Sequence, residues 1–105
     1  MIFRRSGRFD KLVRTQLDLF AEDDADLLAE AESADAASSR AGRDDAEEFY
    51  GDYQLVVDAI GDRLLDVRET YAGTLATDAA DEYRATFTRV ATKRFRRYAG
   101  LLPDA

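Results

Sequence analysis

The chain has 105 residues, a net charge of −7, 46% hydrophobic and 35% charged side chains, which is enough for one modest core and too balanced for a disordered or membrane class. It has neither cysteine nor histidine. This excludes disulfides and thiolate chemistry, and it removes the commonest general base and transition-metal ligand. No apolar run approaches the ~20 residues of a bilayer span. No apolar leader follows the basic start either, so a cytoplasmic location without membrane contact is expected.

From residue 9 to 31, Phe9, Leu12, Val13, Gln16, Phe20, Leu27 and Ala31 lie on one stripe at 100° per residue, which predicts a first helix near 8–31. The Asp23-Asp24-Ala25-Asp26 stretch is able to cap a second, shorter helix, so a break near residue 22 is also compatible with the pattern. Residues 32–43 lack large apolar side chains and read as a mobile surface linker, although their alanines would let part of it extend the helix.

A second helix is expected over 44–72. Asp44 and Asp45 stand three residues before Glu47 and Glu48, close to a capping-box spacing. Phe49, Tyr53, Val56, Ile60, Leu64, Val67 and Tyr71 form its apolar stripe, with Asp58, Asp62, Asp66 and Glu69 on the opposite face. Gly51 and Gly61 interrupt it, either as tolerated surface glycines or as points of close approach. Gly73 suits a helix C-terminus, and Thr77 or Asp78 suits an N-cap. The third helix is expected over 78–100, with Tyr83, Phe87, Val90, Ala91, Phe95, Tyr98 and Leu102 facing inward. Arg94 falls inside that stripe and should snorkel or stack on a ring. Burying three stripes together predicts an all-α fold: a three-helix up-down-up antiparallel bundle forming a single domain over 1–105.

The charge is segregated along the chain. Residues 1–14 hold five cations and one anion, 15–48 hold two cations and twelve anions, and 83–105 hold six cations and one anion. In such a bundle the basic start would meet Asp78, Asp81 and Glu82. The basic end, Arg89 to Arg97, would meet Asp44 to Glu48. Internal pairing of this kind, with overall acidity, argues against nucleic acid as a partner.

Acid pairs spaced three apart, such as Asp44/Glu47, Asp66/Glu69 and Asp78/Asp81, raise a magnesium-dependent hydrolase as an alternative function. Magnesium needs carboxylates converging from facing helices, whereas these belong to solvated faces. No catalytic residue, metal ligand or cofactor is therefore assigned. The leading expectation is a small non-enzymatic interaction or structural module that binds a protein partner or itself.

One string is sharper. Gln16-Leu17-Asp18-Leu19-Phe20 resembles the short peptides with which bacterial replication and repair proteins dock on the DNA polymerase sliding clamp: Gln, an aliphatic residue, Ser or Asp, Leu, then Phe or Leu. The resemblance covers five of the 105 residues. It implies Gln16 as the polar anchor, and Leu19 and Phe20 as the side chains filling an apolar pocket. The same string lies inside a predicted amphipathic helix, so Phe20 has to serve either the clamp or the core.

Overall fold

The computed structural model describes residues 7–100 and 102–103. They are all-helical, with four helices and no strand among the described residues: α1 (Asp10–Asp23), α2 (Ala25–Arg40), α3 (Ala46–Ala72) and α4 (Thr77–Arg94). The expectation of three helices is thus corrected to four.

The extra helix arises at Asp24, whose backbone (φ −109°, ψ 27°) ends α1 and starts α2. Three aspartates around one alanine are poor helix-interior residues but good helix-start residues, so the chain re-aims there at little cost. Arg63 of α3 holds the Asp24 carboxylate at 3.4 Å. The re-aiming lets α1 bury Val13, Leu17 and Phe20 against α4, while α2 turns Ala31 toward α3. Residues 32–40, expected as a linker, continue α2 instead. Ala34, Ala36 and Ala37 favour helix, and their small side chains let α2 lie close along α3. Only 41–45 connect the two helices.

Contacts give the chain direction. Arg8 meets Glu82, Asp18 meets Arg94, and Phe20 meets Phe95, so α1 and α4 run parallel. Tyr71 meets Tyr83 and Arg68 meets Thr88, so α4 runs antiparallel to α3. The core is continuous through Phe9, Val13, Leu17, Phe20, Ile60, Leu64, Tyr83, Phe87 and Ala91. Tyr83 is its centre: fully buried, it receives the edge of Phe9 at 5.6 Å and lies 4.9 Å from Tyr71.

Helix ends depart from expectation. Thr77 begins α4 with Ala76 as the N-cap residue, and neither Asp45 nor Ala76 caps through a side chain. Gly73 ends α3 with φ −63°, in ordinary right-handed geometry. The 73–76 connection is closed instead by the Thr74 hydroxyl, which donates to the Tyr71 carbonyl at 2.7 Å.

The last helix stops at Arg94, six residues earlier than expected, because Phe95 (φ −119°, ψ 56°) leaves the helix and receives Phe20 edge-on at 5.4 Å. The chain then turns Tyr98, Ala99 and Leu102 into the core. This bend brings Tyr98 beside the middle of α3, at Gly61, rather than beside its start. The basic segment therefore cannot meet Asp44 to Glu48. Arg89, Arg94 and Arg97 pair with Asp10, Asp18 and Asp35 instead. The basic start does meet the last helix, through Arg8 and Glu82 at 3.1 Å.

At Gly61 an added Cβ would make an ordinary 3.6 Å contact with the Tyr98 carbonyl, whereas at Gly51 it would point into open space. Gly51→Ala is accordingly expected to stabilise the fold by ~0.5–1 kcal/mol, raising the midpoint of a thermal melt by a few degrees. An unchanged or lower midpoint would mean that the start of α3 does not contribute to the cooperative unit.

Candidate functional site

The clamp-like string lies wholly within α1. Gln16 is half-buried, and its Oε1 accepts the Tyr83 hydroxyl at 2.7 Å. Leu17 is completely buried. Asp18 is exposed and accepts Arg94 Nη1 at 2.6 Å. Phe20 is buried against Phe95. Leu19 is the one apolar side chain of the five that is open, with 52% of its surface exposed. The string is thus divided by the helix: two side chains in the core, two tied to α4, one facing out. Arg94, drawn toward Asp18, also lies over the Phe95 ring at 5.3 Å, in keeping with the expected stacking.

Leu19 stands one helical turn after Gln16, which lines a surface depression between α1 and α3. α1 and α3 scarcely touch, because both lean on α4 through Tyr83. Between them runs a shallow groove of about 440 Å³, lined by Gln16, Arg63, Val67, Thr70, Tyr71 and neighbouring residues. Leu12 stands four residues before Gln16, and Leu19 three after, so both edge the same side of α1. The groove has an apolar wall from Val67 and Tyr71, polar groups at Gln16, Thr70 and Thr74, and an ion pair, Arg63 to Asp66.

Burial pushes the Tyr83 hydroxyl up to about 12 from its ordinary 10.0. The unfolded chain releases this proton near pH 10, whereas the folded chain keeps it until about pH 12. Stability is therefore lost as pH rises through that window, by roughly 2–3 kcal/mol once both limits are passed. Tyr83→Phe should flatten this alkaline limb in urea melts at pH 8, 10 and 11, at a neutral-pH cost of about 1 kcal/mol for the lost hydrogen bond. An alkaline limb unchanged in the variant would assign it to other groups.

Among the inward residues that periodicity missed, one is a charged side chain. Arg68 occupies the buried face of α3 between Leu64 and Ala72, with 3% of its surface exposed. Its guanidinium donates to Glu69 Oε2 at 2.8 Å, to the Thr88 hydroxyl at 2.7 Å and to the Pro103 carbonyl at 2.7 Å. Hydrogen bonds from Arg84 first, and then Arg68, hold the Glu69 carboxyl below the usual carboxylate range. The signal available in the sequence was its spacing, four residues after Leu64 and four before Ala72; a reading that counts only apolar residues passes over it.

Asp58, Asp62 and Asp66 are exposed, away from the core as expected. Among the described residues no group of three or more acidic side chains is placed to hold a metal ion. None of the described helices is long and apolar enough to cross a membrane. The class defined by these features is an all-α helical fold with an open α1–α3 groove. Comparison with known proteins gives no matching family model, no similar curated protein and no similar solved structure.

Proposed function

We propose that the protein works by contact with another protein chain, a second copy included, and not by catalysis. The observation that carries this reading is the open α1–α3 groove, with the exposed Leu19 one helical turn from its lining residue Gln16. An apolar wall beside an outward leucine suits the apolar stripe of a docking helix, and the polar groups of Gln16, Thr70 and Thr74 in the groove give such a contact a fixed register. Sedimentation equilibrium across tens to hundreds of micromolar protein tests self-contact: the expected species is a two-chain one, twice the 11.8 kDa chain mass. A single-chain mass throughout would remove self-association from this reading.

Docking on a DNA polymerase sliding clamp through Gln16 to Phe20 is the second reading, favoured by the complete five-residue match. Filling the clamp pocket with Phe20 would require α1 to leave α4, exposing Leu17 as well. Titration against a bacterial clamp tests it cleanly with Leu19→Ala, because Leu19 is outside the core. Binding by the parent, weakened in that variant, supports the reading; a parent that does not bind ends it.

A further inference from the structure

The last turn of α1 sets its charges against the helix dipole. A helix start favours anions and a helix end favours cations. The first turn of α1 holds Asp10, but Lys11 and Arg14 follow it in the same half, and the last turn carries Glu22 and Asp23 with no cation. The contrast with α4 is direct, since its last turn carries Lys93 and Arg94. Within the bundle this arrangement is only partly used. Asp10 is taken by Arg89, Asp18 by Arg94 and Asp24 by Arg63. Lys11, Arg14, Glu22 and Asp23 are all exposed and form no ion pair among the described residues.

The side of α1 that edges the groove adds an apolar element to this polarity. Leu12 is half-buried, Thr15 exposed, and Leu19 the more exposed of the two leucines. Read from either end, the helix runs cation, leucine, polar centre, leucine, anion or its reverse. A surface of that kind complements itself when two copies meet antiparallel. Lys11 of each copy then lies beside Glu22 of the other, each Leu12 approaches a Leu19, and the two macrodipoles oppose.

We infer that α1 is a homodimerisation helix: a second copy docks α1 against α1, antiparallel across a two-fold axis near Thr15 and Gln16, with the second Leu19 reaching the edge of the α1–α3 groove. This deepens the self-contact reading above and rests on it. The contact is small, because α1 has 14 residues and spans ~21 Å. An interface of this size falls in the weak, transient class, with micromolar affinity.

Paired charge reversals test the geometry separately from the association itself. Lys11→Glu/Arg14→Glu makes both ends of α1 acidic, and Glu22→Lys/Asp23→Lys makes both basic. All four positions are exposed, and circular dichroism should show the parent helicity in each variant. Each variant alone is expected to self-associate at least about tenfold more weakly than the parent, whereas an equimolar mixture restores a two-chain species of near-parental affinity. Leu19→Arg should remove the dimer in every combination. Restoration on mixing is a result that a mere loss of stability cannot produce. If the parent dimerises and neither the reversals nor Leu19→Arg alter its affinity, this geometry is overturned and self-association belongs to another face. If the parent stays a single chain up to hundreds of micromolar, the inference and the self-contact reading fall together.

Discussion

Leu17→Ala is expected to lower the unfolding free energy by about 3 kcal/mol, while Leu19→Ala, two residues along the same helix, changes it by no more than about 0.5 kcal/mol. Leu17 is completely enclosed between α1 and the rest of the core, so truncation leaves a cavity as well as losing apolar burial. Leu19 is half in solvent and loses little. Phe20→Ala should resemble Leu17→Ala, because it also removes the edge-to-face contact with Phe95. Urea melts measure all three, and a displaced midpoint at constant slope is the expected signature. The contrast bears on function. If Leu17→Ala and Phe20→Ala are both as mild as Leu19→Ala, α1 is loosely docked, and the clamp-like string is accessible after all. If they are severe, any assay in which Phe20→Ala abolishes binding reports unfolding first.

The second large effect is expected at Arg68. Removing its guanidinium strands the Pro103 carbonyl and the Thr88 hydroxyl, and takes one of two cations from Glu69. Arg68→Ala should cost about 2–3 kcal/mol, less than breaking a wholly buried pair, because Glu69 is partly exposed and keeps Arg84. Arg68→Met retains the apolar stem without the charge and should recover about half of that loss. The local signature is at the C-terminal segment. Leu102 donates its amide to the Ala99 carbonyl at 3.0 Å, and this amide should exchange faster in Arg68→Ala than in the parent. Unchanged exchange there would mean that residues 95–103 hold to α3 through Tyr98 and Leu102 alone.

The aliphatic and aromatic spacing made most of the helical core legible. Ile60, Leu64, Tyr83, Phe87 and Ala91 are read inward by period alone and lie inward. The α1 stripe was less exact. Period placed Leu12 and Gln16 in the core and Leu17 on its flank, whereas α4 packs on the side that buries Asp10, Val13 and Leu17. A helix with leucines at 12, 17 and 19 offers several apolar faces of similar width, and only the position of its neighbour chooses among them. The candidate site follows the same rule. The five-residue match is visible in the sequence, but which of its side chains are free depends on the side of α1 that α4 covers.

By itself, the sequence determined the helical class, the inward aromatics of the last helix and the solvent-facing Asp58, Asp62 and Asp66 row, because these depend on periodicity within one element. Tertiary structure decided the rest. The break at Asp24 became real because it lets α1 turn to α4 and α2 to α3. Arg68 entered the core because Thr88 and the Pro103 carbonyl were there to receive it. The basic tail found Asp18 and Asp35 because Phe95 turned the chain early. Each of these rests on a partner distant in sequence, and a local pattern carries no information about which distant groups will satisfy a buried charge or fill a given face.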